Sequence, residues 1–111
     1  MASARAMLER RRSSRVPIRV SVKVLTGEAE GQVAQAEAVS VSRYGALLRA
    51  PIRPELGSRI EILHSVSNEV REFRVISAKD LRKDGLFELA VEIYYPAKNF
   101  WGVQFPGERT A

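Results

Sequence analysis

The segment LFELAVEIYY, residues 86–95, constrains this chain more tightly than any other. Phe87, Leu89, Val91 and Ile93 alternate with Glu88, Ala90 and Glu92. On an extended backbone that period of two puts every large apolar side chain on one face and both glutamates on the other. The same alternation opens the chain's body: Val16, Ile18, Val20, Val22 and Val24 interleave with Arg19, Ser21 and Lys23. Pro17 restricts Val16 to extended conformations. No long stretch carries the recurrence at three and four residues that a helix would need.

Between these two segments the chain is cut into short pieces by turn residues. TGEAEGQ (26–32) is a turn, and VAQAEAVSVS (33–42) is a strand whose alanines carry little packing signal. RYGALLRAP (43–51) holds Gly45, then a short apolar run ended by Pro51, and IRPELGS (52–58) is a loop with further breakers. RIEILHSV (59–66) reads as a strand and SNE (67–69) as the turn after it. VREFRVISAKD (70–80) is a strand with Phe73 and Val75 on one face, and LRKDG (81–85) turns the chain into 86–95, which Pro96 stops. Six strands at intervals of about ten residues predict an all-β domain, an antiparallel barrel or sandwich. Closure into a barrel removes the exposed edges that six strands otherwise leave. Phe100 and Trp101, in the aromatic tailpiece that follows, are expected to close one end of it.

A chain of 111 residues fits one such domain. It has no cysteine, so disulfides, zinc–thiolate sites and thiol nucleophiles are excluded. No apolar run approaches the ~20 residues that cross a bilayer. The N-terminal MASARAMLERRR lacks the apolar core of a secretory signal. The expected setting is soluble and cytoplasmic. Charge is unevenly placed: residues 1–23 hold seven Lys/Arg and one acid, Glu9, whereas the remainder holds eleven basic and twelve acidic residues. A positive field concentrated before a near-neutral body points to a polyanionic or phosphorylated partner.

Catalytic constellations are thin. His64, the sole histidine, stands at the end of a predicted strand, the place of a surface or edge residue. Without a second histidine or a cysteine a transition-metal site lacks ligands. Nothing marks a serine as a nucleophile. Asp80 and Asp84 flank a turn, where their side chains bond local backbone, and no phosphate-binding glycine loop is present. The expectation is a protein that is not an enzyme and needs no cofactor.

Two stretches are more specific. Arg11 and Arg15 form Arg-x-x-x-Arg, with Arg10 immediately before, and SVSRYG (40–45) sets Ser40, Ser42 and Gly45 at a strand end. In this order the two motifs resemble those of the PilZ domain family, whose N-terminal Arg-x-x-x-Arg is followed one hairpin later by Asp/Asn-x-Ser-x-x-Gly. NFWGVQFP (99–106) also looks like the ending of many such sequences. The resemblance covers about Arg10 to Pro106. It implies a six-stranded antiparallel PilZ-type β-barrel over residues 10–106, with a flexible basic arm (1–9) before it and a short tail or helix (107–111) after.

It further implies binding of cyclic di-GMP, a bacterial second messenger with two guanines and two phosphates, and a role as a signalling receptor acting on a downstream protein. The chemistry agrees: a guanidinium can bond a phosphate or the O6/N7 edge of guanine in bidentate fashion, and can stack on a base. By the family pattern Arg11 and Arg15 grip the ligand and Arg10 is a further contact associated with a stacked ligand dimer. Ser42 supplies a hydroxyl and Gly45 lets backbone approach closely. Arg43 and Tyr44 fall inside the second motif. Ser40 departs from the Asp or Asn of the pattern, and the loss of one good hydrogen bond costs on the order of 1 kcal/mol, roughly fivefold in affinity. The alternative is therefore a PilZ-like adaptor that has lost its nucleotide and binds only protein. A nucleic-acid-binding barrel also fits the basic arm, but aromatic residues make up only 7%, with no array for stacking bases, so nucleic acid is not the expected partner.

Overall fold

The structure is a computed structural model that describes residues 15–26, 31–96 and 99–103. The predicted arm (1–9), Arg10, Arg11 and the tail (107–111) lie outside these residues, as do 27–30 of the first turn. Six strands follow in order: β1 (Val16–Thr26), β2 (Val33–Val41), β3 (Gly45–Ala50), β4 (Arg59–His64), β5 (Val70–Asp80) and β6 (Phe87–Ile93). Every neighbouring pair is antiparallel, in the order β1-β2-β3-β6-β5-β4, and β4 pairs back onto β1 to close the barrel. The described residues contain no helix.

The alternation seen in sequence becomes inside and outside. Val22 and Val24 of β1 and Leu89, Val91 and Ile93 of β6 are buried, with charged neighbours facing out. β2 offers the interior only Ala34, Ala36 and Ala38 before Val41. The interior of a small barrel is filled by side chains alone, so these small residues leave room for Leu48, Ile60, Ile62, Phe73 and Leu89, all fully buried. Among the described residues no helix crosses the ends, and none is long and apolar enough to cross a membrane.

Strand register shifts at three places. β1 shifts register between Pro17 and Val20, β2 between Ala38 and Ser40, and β5 between Val75 and Ser77. The β2 shift matters most here. Continuing the alanine series would carry Ser40 into the core. Instead two β2 residues advance against one of β3 (Ala38 opposite Leu48, then Ser40 opposite Leu47), a bulge. Ser40 stays half-buried and Val41 takes the core position.

His64 corrects the expectation of a surface or edge residue. It is buried at the end of β4, where its Nδ1 accepts the backbone N–H of Val66 at 3.1 Å and of Ser67 at 3.3 Å. Its ring meets Phe100 edge-on at 6.0 Å between centroids. A buried imidazole nitrogen needs a partner, and the turn into β5 supplies two N–H groups to Nδ1. That turn begins at Ser65, so the predicted strand 59–66 is two residues shorter in the structure. Phe100 and Trp101 are buried, packed at 4.8 Å on each other and both against Phe73 at 6.0 Å, and close this end of the barrel.

Candidate functional site

Strand direction alternates around the ring, so the start of β1, the β2–β3 hairpin and the end of β6 share the barrel end that Phe100 and Trp101 close. Val16 pairs with Val41 and Pro17 with Ser40. Arg15 directly precedes Val16 and Ser42 directly follows Val41. The β1–β2 register thus brings the end of the first motif to the second: Arg15, Ser40, Ser42 and Gly45 belong to one end of the barrel. Arg10 and Arg11 lie outside the described residues.

The hairpin itself is tightly fixed. The Ser42 N–H donates to the Gly45 carbonyl at 2.9 Å, leaving Arg43 and Tyr44 as the two connecting residues. Ser42 is buried and its hydroxyl oxygen accepts the Tyr44 N–H at 3.3 Å. A serine hydroxyl carries one donor beside its acceptor pairs, so this bond leaves its O–H free to donate. The Ile93 N–H donates to the Tyr44 carbonyl at 2.8 Å, which fastens the hairpin to β6.

Gly45 has a task within the barrel itself. The close backbone approach it permits is made by β6. A β-carbon at 45 would collide with the Val91 carbonyl oxygen and sit 3.2 Å from its carbon and 3.3 Å from the Glu92 Cα. The barrel alone therefore requires glycine there. Ser42, as a turn acceptor, also has a structural task of its own.

Four ion pairs lie on the outer wall among the described residues. Ion pairs join Arg59 to Glu72 at 2.9 Å, Arg71 to Glu69 at 3.5 Å, Arg74 to Glu92 at 3.7 Å and Arg19 to Glu37 at 4.0 Å. Hydrogen bonding to Tyr94, then the charge of Glu72, holds the pKa of Arg59 above its ordinary value. Arg15 and Arg43 are both exposed, and neither has an ion pair among the described residues. The Arg43 guanidinium lies over the Tyr44 ring, 5.8 Å from its centroid. Sequence reasoning placed Arg43 and Tyr44 inside the motif but not this stacking, which follows from the two-residue turn and cannot be read from residue order.

A shallow cleft of about 270 Å³ lies farther round the outer wall, lined by Glu61, Val70, Arg71, Glu72 and Tyr95. Two carboxylates in its wall make it a poor seat for an anion. The hairpin end offers the reverse: unpaired guanidinium groups, two serine hydroxyls and an anchored backbone. Such a set can grip a planar anionic ligand through charge-assisted, directional bonds.

No family model matches the sequence, and no curated protein matches it. Among solved structures the barrel is similar to Bacillus subtilis inhibitor of motility (MotI/DgrA), with a TM-score of 0.60 and 14% sequence identity. The match covers 81% of this chain and 44% of that one, so this chain spans less than half of that protein's length. At this identity the likeness is one of fold.

Proposed function

We propose that this chain is a cyclic di-GMP receptor domain that binds the nucleotide at the hairpin end of the barrel and passes its state to a protein partner. The observation that carries the reading is the pairing of Val16 with Val41, because it delivers Arg15 to the segment containing Ser40, Ser42 and Gly45. Arg15 and Arg11 are the phosphate and base grips, Arg10 is a further contact, and the Ser42 O–H donates to the ligand. The proposed role is one of binding, without catalysis. The barrel is similar in fold to an inhibitor of motility, which fits a signalling role. Isothermal titration with cyclic di-GMP tests the reading. Heat saturating at micromolar ligand and lost in Arg11→Ala is expected; no heat at tens of micromolar removes it.

A second reading is favoured by two specific observations. Ser40 lacks the carboxylate or amide of the family pattern, and the hairpin by itself accounts for both Ser42 and Gly45. A protein-binding adaptor without nucleotide meets both. On that reading Ser40→Asp creates nucleotide binding where the natural chain has none, and a partner captured by the natural chain is indifferent to cyclic di-GMP.

A further inference from the structure

Building on the nucleotide reading above, we infer that Arg43 reads the guanine edge in place of the side chain that Ser40 lacks, and so sets the choice of guanine over adenine. Arg43 occupies the first connecting position of the β2–β3 turn, three residues from Ser40 on the same hairpin. That turn is bonded on both sides, through Ser42 to Gly45 and through Tyr44 to Ile93. The guanidinium rests over the Tyr44 ring. An exposed arginine on a fixed turn loses less freedom on meeting a ligand than one on an unanchored segment.

The residue at 40 bears on this directly. An aspartate there would offer the nearby guanidinium groups a carboxylate to pair with. Serine does not, and Arg43 makes no ion pair among the described residues. The substitution that removes one reader of the base thus leaves another available.

The chemistry then selects the base. Guanine presents two acceptors, O6 and N7, which match the parallel donors of a guanidinium. Adenine presents N7 beside the N6 amino group, so one arginine donor would face another donor. A serine hydroxyl has one proton and cannot make that distinction across two positions.

The test is a titration of the natural chain, Arg43→Ala and Arg43→Gln with cyclic di-GMP and with its adenine counterpart, cyclic di-AMP. Arg43 lies in an exposed turn, and Trp101 fluorescence verifies that each variant is folded. The natural chain is expected to prefer cyclic di-GMP. Arg43→Ala should lose roughly tenfold or more of that preference, and Arg43→Gln, whose amide matches N6 and N7 of adenine, should move it toward cyclic di-AMP. A natural chain that prefers cyclic di-GMP, with the ratio unchanged in Arg43→Ala, overturns this inference and leaves the receptor reading standing. Binding of neither nucleotide overturns both.

Discussion

Gly45 and Val91 are locked together: the backbone of β6 passes so close to β3 that the Val91 carbonyl oxygen fills the place a β-carbon at 45 would take. A position inside the second motif is therefore also a close-packed point of the barrel itself. Gly45→Ala forces backbone, not a flexible side chain, to move. Overpacking of this kind costs about 1–3 kcal/mol. Urea unfolding should show that loss without any nucleotide present. An unchanged midpoint would mean that β6 yields more easily than the geometry implies.

His64 separates packing from hydrogen bonding. His64→Phe keeps a ring against Phe100 and Trp101 but removes the acceptor of the Val66 and Ser67 N–H groups. Val66 and Ser67 are exposed turn residues, so water takes over part of the lost bonding and the cost is about 1 kcal/mol, that of an ordinary net hydrogen bond. The variant should unfold at lower urea, with the emission of Trp101, the only tryptophan, shifted in the folded state. Equal stability would show that the aromatic contacts alone hold this end.

Arg15→Ala should weaken cyclic di-GMP binding roughly ten- to a hundredfold, the range for one hydrogen bond to a charged group. Affinity in the natural chain should fall as salt rises, because exposed charge interactions are screened. Titration calorimetry at two ionic strengths measures both. If Arg15→Ala binds as the natural chain does, the β1–β2 register is not what brings a ligand grip to the hairpin.

Arg59 offers the opposite expectation. It has a short ion pair with Glu72 and lies 4.8 Å over the Tyr94 ring, yet its side chain is 65% exposed. Exposed pairs contribute little because water and side-chain entropy offset the attraction. Arg59→Ala should leave the urea midpoint within the scatter of repeat measurements, and a clear drop would mark the Arg59–Tyr94 contact as structural.

The barrel was legible in sequence because its strands alternate cleanly. Leu89, Val91 and Ile93 point inward as their spacing requires. Ser40 was not legible in the same way. Alanines at 34, 36 and 38 imply that position 40 is internal, and only the bulge against β3 turns it out. His64 was misread because its surroundings come from Phe100 and Trp101, distant in sequence, and from N–H groups that any turn would possess. At the candidate site, the two motifs could be seen as residue types in order, but their meeting depends on β1–β2 register. The task of Gly45 depends on β6, which sequence spacing does not disclose.

The seam between β1 and β4 sets a timescale. Val22 meets His64 and Val24 meets Ile62, although β2, β3 and their loops separate the two strands in sequence. Loop-closure entropy is spent before these contacts can repay it, and chains dominated by such distant pairings refold in roughly milliseconds to seconds. Stopped-flow refolding followed by Trp101 emission should report this step, since Trp101 packs on His64 at the end of that seam. Recovery of the full signal within microseconds would mean that Trp101 finds its place before the ring is shut.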